Sequence, residues 1–414
     1  MIRILTAIFI FIFAACERPI PEDEFFLTHL LERHNSKFQA ILSNDSLEVQ
    51  IIYTQIIRDS LNKPHFKSFY YHVDSTRYFY PASTVKLPQV LLALEKVNEL
   101  RAAGYAIDKY TPIYHDSLYE GQRSVKMDTT AHDSRPSIAH YAKKIMVVSD
   151  NDAFNRLYEF VGQKATHEKM RSKGYNVRFL HRLERPLTPD QNRHTEAVRF
   201  LRGDTVLYRQ AMLVNPDSIR PPRKVFKGKG FIRKDSLILQ PFDFTYKNSY
   251  PLNEQQEILK AILFPDAIEA KRRFNLTAED RNFVMQYMSQ LPRETQEPPY
   301  YKDTTLYDAY CKFLLFGDDP SPIPANIRIF NKVGDAYGYL IDNAYIVDFE
   351  HGVEFMISAV INTNTDGIYN DGKYEYKSIG YPFMKNLGEV VYQYERKRKR
   401  KYKPNLEEFQ IKRH

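Results

Sequence analysis

Residues 80–94 read YPASTVKLPQVLLAL, in which a Pro-Ala-Ser step leads into an apolar helical pattern. Pro81 predicts that a helix begins near Ser83, which places the hydroxyl close to unpaired backbone N–H groups and to the positive end of the helix dipole. Lys86 follows three residues later and shares that helix face. A serine needs a base to become nucleophilic, and a lysine of lowered pKa can serve. A capping serine with a surface lysine fits the same spacing, which recurs at Ser60–Lys63 inside a predicted turn.

Two further polar motifs follow in order, Ser149-Asp150-Asn151 and Lys332-Val333-Gly334. With Ser83 and Lys86 they resemble the motif set of class A β-lactamases and penicillin-binding proteins. The chain is therefore similar to the penicillin-recognising serine hydrolases over roughly residues 25 to 395. The resemblance implies an α/β (α+β) fold of the β-lactamase/transpeptidase-like type, and acyl transfer through a serine acyl-enzyme.

The resemblance also implies catalytic roles for four side chains. Ser83 is the nucleophile, with Lys86 one turn beyond it. Ser149 relays a proton to the leaving group. Lys332, expected on the first residues of a strand, supplies positive charge for a substrate carboxylate and holds Ser149 in place.

The resemblance assigns substrate binding to the residues beside these: Asn151, Val333, Gly334 and Asp335. Asn151 binds the substrate amide, and the backbone N–H of Asp335, just after Gly334, completes an oxyanion hole with that of the nucleophile. Two positions depart from the family pattern: Val333 replaces a hydroxyl residue that contacts the substrate carboxylate, and Leu187 stands where class A enzymes carry the deacylating glutamate. Three acidic residues lie nearby, for which a surface salt bridge is the simpler role: Glu184, Asp190 and Glu196.

The order of predicted elements indicates a sheet assembled from both ends of the chain. A helix over residues 27–41, strands over 49–57 and 66–73, a mainly helical middle, three strands after Asn326 and a closing helix over 381–394 fit a five-stranded antiparallel sheet. The predicted domains are an α/β subdomain at 25–110 and 326–395, and a helical lobe at 111–325 whose clearest helices span 138–161 and 278–291. An inserted hairpin is expected within 205–250.

The N-terminus has the pattern of an export signal. Residues 1–15 combine a charged start, an apolar run and two alanines, and Cys16 follows directly as in a lipobox, with a tether at 16–24. These features predict a lipid-anchored protein of the bacterial cell envelope, periplasmic or outer-membrane associated. An ordinary cleaved signal with a chance cysteine is the alternative. Cys311 is predicted to be a buried thiol, and the scattered histidines predict no metal and no cofactor.

The net charge of +8 owes much to the basic tail at 396–414. This run is read as the solvated end of a helix, with membrane-surface contact second, and export argues against nucleic acid. The sequence thus predicts a monomeric exported serine hydrolase that acts on a β-lactam, or on a related amide or ester of small-molecule or peptidoglycan origin. A D,D-peptidase or esterase is the alternative within this class. A catalytically silent cell-wall-binding lipoprotein is the alternative outside it.

Overall fold

The computed structural model describes residues 20–217 and 219–411, so the predicted signal at 1–15 and Cys16 lie outside the described residues. The first half contains α1 (Phe26–Arg33), α2 (Asn35–Leu42), β1 (Gln50–Arg58), β2 (Pro64–Tyr71), α3 (Lys86–Ala102), β3 (Ile113–Asp116), α4 (Ile138–Val148), α5 (Asn151–Val161), α6 (Gln163–Ser172), α7 (Pro189–Arg193), β4 (Ala197–Arg202) and β5 (Thr205–Gln210). The second half contains β6 (Phe226–Lys227), β7 (Gly230–Arg233), β8 (Ser236–Ile238), β9 (Phe242–Asp243), α8 (Leu252–Leu263), α9 (Ala278–Ser289), the short turn α10 (Phe313–Phe316), β10 (Ile327–Ala336), β11 (Tyr339–Asp348), β12 (Val353–Asn362), β13 (Ile368–Tyr369) and α11 (Tyr381–Lys397).

The main sheet has five strands in the order β10-β11-β12-β1-β2, and every neighbouring pair is antiparallel. Strands from both ends of the chain therefore meet at the β12–β1 pair, where Ile52 lies opposite Ser358. This confirms the predicted fold class. All residues of β11 and β12 are buried because helices cover both faces of the sheet.

The two faces belong to separate cores. In β11, Tyr345 belongs to a core that includes residues of α3, α4, α5, α8 and α9, whereas its neighbours Ala344 and Ile346 belong to a core that includes residues of α1 and α11. This alternation is the period-two geometry of a strand covered on both sides. A third, smaller core supports the loops that surround Ser83, since it contains Tyr80, Ala82 and Phe244, with Tyr337 packed against it.

Several elements differ from the sequence-based expectation. The N-terminal helix is broken at His34 into α1 and α2, and the long helix predicted over 138–161 is two helices separated at Ser149. The lobe predicted to be mainly helical also contains a small sheet, β3-β4-β5. Its strands are four to six residues long, too short for period-two patterning to stand out.

The insertion contains the predicted hairpin. Strands β7 and β8 pair between Phe231 and Ile238, and β13 adds in parallel to β7. The insertion is thereby joined to the loop that follows β12.

The basic run after α11 is not simply a solvated helix end. Arg398 and Arg400 both bind the fully buried Glu395 carboxylate, and their own side chains are largely buried. The reading of this segment as a solvated end is therefore wrong for these two arginines. Cys311 is buried as predicted, and no helix of the described residues is long and apolar enough to span a bilayer.

Candidate active site

Ser83 lies in a cleft of about 490 Å³ between the two lobes of the fold. It sits in a single 3-10 turn, Ala82–Val85, and the α-helix begins at Lys86 rather than at the serine. The expected helix start is thus one turn too early. Thr84 closes the turn by donating its hydroxyl to the Pro81 carbonyl at 2.7 Å.

Lys86 is completely buried beneath the cleft. Its ammonium donates to the backbone carbonyl of Ser149, to the Ser149 hydroxyl at 3.2 Å and to the Asn151 Oδ1 at 2.6 Å. Burial, and secondly the nearby charge of Lys332, hold the pKa of Lys86 well below its usual range. A lowered pKa favours the neutral amine, which is the form that can accept a proton.

Ser149 lies between two lysines. Lys332 donates to its hydroxyl at 2.8 Å, and Lys86 donates to the same hydroxyl at 3.2 Å. Lys332 is in the middle of β10, not at its first residues, and its remaining contact is the Val333 carbonyl at 3.0 Å. Burial lowers the pKa of Lys332 as well. The structure thus brings Lys86, Ser149 and Lys332 together, as the motifs predict.

Strand β10 passes unusually close to the nucleophile. A Cβ at Gly334 would lie 2.9 Å from both the Pro81 carbonyl oxygen and the Ser83 nitrogen, so the strand tolerates glycine alone here. This approach places Asp335, the next residue, on the cleft wall beside Ser83. Val333 was predicted to bind substrate, but it is buried in the core on the opposite strand face and does not line the cleft.

One wall of the cleft is the loop around Leu183 and Glu184. Asn155 of α5 holds this loop by donating to the Leu183 carbonyl at 3.0 Å and accepting from the Leu183 N–H at 2.9 Å. Arg182 forms a buried ion pair with Glu159 behind the loop. These contacts fix the loop against the helix that begins at Asn151.

The three acidic candidates for deacylation occupy different environments. Glu196 is buried and paired with Arg156 at 2.7 Å, and Asp190 is exposed and bound to Arg193 at 3.1 Å. The predicted surface salt bridge is confirmed for Asp190 but is wrong for Glu196, whose ion pair with Arg156 is fully buried. Glu184 instead lines the cleft, and Leu187 lines a neighbouring cavity.

Sequence reasoning missed the aromatic and polar walls of the cleft. Tyr80, Tyr337, Tyr374 and Asn370 come from three separate loops and meet above Ser83. Their proximity depends on tertiary structure, because the short motifs give no signal for it.

Backbone strain is concentrated around this site. Five non-glycine residues here adopt left-handed φ angles between 48° and 61°: Ala82, Ser149, Glu184, Tyr337 and Asn370. Such a conformation costs about 1–3 kcal/mol for most residues and persists where the surrounding structure enforces it. Such clustering is typical of functional sites. Within the described ranges, no group of three or more metal-ligating side chains is placed to hold an ion.

The five-stranded antiparallel sheet, assembled from both ends of the chain and packed with helices, has the β-lactamase/transpeptidase-like fold. Residues 34–218 match the model of the β-lactamase enzyme family, which confirms the predicted resemblance to the β-lactamase-like serine hydrolases. No curated protein matches the chain.

Solved structures with a similar chain path are distant in sequence. An acyl-enzyme complex of a PBP-A mutant with penicillin G is 15% identical, with a TM-score of 0.47, over 89% of this chain and 96% of that chain. A β-lactamase from Xanthomonas campestris pv. campestris is 13% identical, with a TM-score of 0.47, over 87% and 98%. A class A β-lactamase from Clostridium kluyveri is 14% identical, with a TM-score of 0.45, over 88% and 98%. The fold assignment itself rests on the sheet order of this chain.

Proposed function

We propose that the chain is an exported serine hydrolase that forms an acyl-enzyme on Ser83. The observation that carries the proposal is the hydrogen-bonded chain from Lys86 through the Ser149 hydroxyl to Lys332 beneath the cleft. It supplies a base of lowered pKa and a proton relay next to a serine on a cleft wall, which is the equipment that acyl transfer to serine requires.

The reaction begins when neutral Lys86 accepts the Ser83 proton and the serine oxygen attacks a substrate carbonyl. The negative charge on the carbonyl oxygen is stabilised by the backbone N–H groups of Ser83 and Asp335. Ser149 then gives its proton to the leaving group and is reprotonated by Lys86, with Lys332 holding its hydroxyl in position. The bond to the leaving group breaks and the acyl group remains on Ser83 as an ester.

A slowly deacylating enzyme is the second candidate, in the manner of a penicillin-binding protein, a D,D-peptidase or an esterase. Glu196 is committed to Arg156, Asp190 is committed to Arg193, and the position of the deacylating glutamate is Leu187. Glu184 remains as the acid on the cleft wall. These placements favour a long-lived acyl-enzyme over rapid turnover of a β-lactam.

The test is intact-protein mass spectrometry of the chain without residues 1–16 after exposure to a fluorophosphonate and, separately, to a penicillin. Fluorophosphonate labelling that is lost in Ser83→Ala but kept in Ser60→Ala supports the proposal, because Ser60 has the same Ser-x-x-Lys spacing on an exposed turn. A persistent penicillin adduct supports slow deacylation, and consumption of the drug without an adduct supports a β-lactamase. Labelling in neither case, in a folded protein, overturns the hydrolase and favours a silent binder.

We further propose that Cys16 carries a lipid that anchors the protein, as a monomer, to the cell envelope. Its substrate there is a small molecule or a peptidoglycan fragment, and it binds no nucleic acid. The signal-like residues 1–15 support this. Incorporation of a radiolabelled fatty acid that is lost in Cys16→Ser is the expected result. Equal labelling of both proteins, or none, would contradict it.

A further inference from the structure

The charges at the mouth of the Ser83 cleft are unusual for a site expected to bind an anion. Among the described residues that line the cleft, the charged side chains are Glu184 and Asp335, and both are exposed. Three tyrosines share the wall with them: Tyr80, Tyr337 and Tyr374. Carboxylates and tyrosine faces are the groups with which proteins bind organic cations.

The aromatic corner of this wall is rigid. The rings of Tyr80 and Tyr337 are perpendicular, with centroids 5.0 Å apart. Tyr337 is packed edge-on against Phe244 at 5.3 Å and lies 5.6 Å from Phe242, so the inserted segment fixes its orientation. A ligand entering the cleft meets a preformed corner, which reduces the entropic cost of binding.

The nearby lysines Lys332 and Lys86 act on Asp335, but desolvation within the cleft outweighs them and raises the pKa of this carboxyl. Both lysines are buried below the mouth and bind Ser149. His181 stacks on Tyr80, but burial lowers its pKa to about 4, so it is neutral at physiological pH. Lys247 lies 5.7 Å from the Tyr337 ring centroid and lines the neighbouring cavity.

The side chain that would favour a substrate carboxylate is missing as well. Val333 takes the place of the hydroxyl residue and is buried in the core. A carboxylate in the cleft would therefore face Glu184 and Asp335 without that hydroxyl.

We propose that this cleft selects acyl substrates that carry an ammonium group close to the scissile carbonyl. Glu184, Asp335 and the tyrosine corner form the cation subsite. This inference rests on the proposed hydrolase function and names its substrate class. Because both carboxylates are exposed, water and salt screen their charge, and the selectivity is expected to be moderate, on the order of tenfold at low ionic strength.

The experiment compares three chromogenic esters with one leaving group and acyl chains that end in trimethylammonium, tert-butyl or carboxylate. We expect kcat/KM to be about tenfold higher for the cationic ester than for the neutral one, and lowest for the carboxylate. The cationic-to-neutral ratio should fall several-fold in Glu184→Gln and in Asp335→Asn, and also at 1 M salt. Asp204→Asn, on an exposed turn between β4 and β5, should keep the wild-type ratio. An unchanged ratio in both cleft variants overturns the proposal. It is also the result expected if Glu184 instead activates the deacylating water, because kcat/KM does not include deacylation; kcat would then fall for both esters while the ratio of their kcat/KM values stayed unchanged.

A binding measurement separates this inference from the proposed function. Calorimetric titration of Ser83→Ala with the trimethylammonium and tert-butyl amides requires no catalysis. Tighter binding of the cationic amide, weakened by Glu184→Gln, supports the subsite even if wild-type Ser83 proves unreactive. Equal affinity for the two amides overturns it even if the enzyme is active.

Discussion

At the scale of single residues, the site depends on placing two lysines where charge is costly. Lys86 and Lys332 are both buried, and both donate a hydrogen bond to the Ser149 hydroxyl. These bonds offset part of the cost of removing each lysine from water. Ser149 is held in a left-handed conformation between them. The arrangement disfavours two simultaneous ammonium charges, and the usual outcome in a buried site is loss of a proton from one group.

The pH dependence of acylation should report Lys86. Because its pKa is lowered and the neutral amine is the reactive form, the labelling rate should rise with pH and level off below the usual lysine pKa of about 10.4. Lys86→Met should lose labelling by a hundredfold or more. Lys96→Met is the matched control, since Lys96 lies on the same helix and burial lowers its pKa to about 8. A wild-type rate that is flat from pH 6 to 10 would contradict this role.

Restoring the family hydroxyl at position 333 should not restore recognition of penicillin. The Val333 side chain faces the core, so Val333→Thr would bury a hydroxyl among apolar groups, at a cost of about 1–3 kcal/mol. We expect a lower Tm and an unchanged rate of acylation by penicillin. A faster reaction would mean that this side chain reaches the cleft.

At the scale of elements, the sequence predicts candidate site residues where they lie within one short motif. Ser83, Ser149 and Lys332 could be found because each motif lies within three or four residues. The walls could not be found, since Tyr80, Tyr337 and Glu184 are separated along the chain and meet through packing. Strands β3 to β5 were missed because their patterns are short, and because β3 pairs with a strand far along the chain, although β4 and β5 form a hairpin.

Strand β10 and the 3-10 turn can approach each other because Gly334 has no side chain. Gly334→Ala should push the strand away from Ser83, because its Cβ would lie 2.9 Å from backbone atoms of the turn. We expect fluorophosphonate labelling to slow by a hundredfold or more, with the circular dichroism spectrum retained. Labelling at the wild-type rate would show that the oxyanion hole does not depend on this approach.

The loop that carries Glu184 depends on one asparagine. Asn155→Ala removes both hydrogen bonds to the Leu183 backbone and leaves a buried N–H and C=O without partners, each costing about 1–3 kcal/mol. We expect faster limited proteolysis within residues 181–196 and slower acylation. Asn155→Asp keeps the acceptor for the N–H and should show a smaller change in both. Equal protease resistance of all three proteins would indicate that Arg182 alone holds the loop.

At the scale of the whole molecule, segments far apart in sequence close around the sheet. Strands β1 and β2 come from one end of the chain and β10 to β12 from the other, and α1 and α11 cover the face opposite the active site. The segment after α11 then crosses to the other face of the sheet, where Phe409 is fully buried in the core that includes α3. Basic residues dominate this segment, so its composition predicts exposure to solvent. A few apolar residues beyond the basic run nevertheless pack into the core.

The C-terminal segment should therefore contribute to the stability of the sheet that carries Lys332. The Phe409 ring packs edge-on against Tyr345 at 4.8 Å and also contacts Phe264 and Phe330. Phe409→Ala would leave a cavity under the sheet, and we expect a loss of about 3–5 kcal/mol in the free energy of unfolding, measured by urea denaturation. Tyr402→Ala is the matched control, since this aromatic residue lies in the same segment but is exposed, and we expect a change within about 0.5 kcal/mol. Similar losses of unfolding free energy in the two variants would mean that Phe409 does not stabilise the fold more than an exposed residue of the same segment. A loss confined to Phe409→Ala would show that the segment following the basic run is part of the fold.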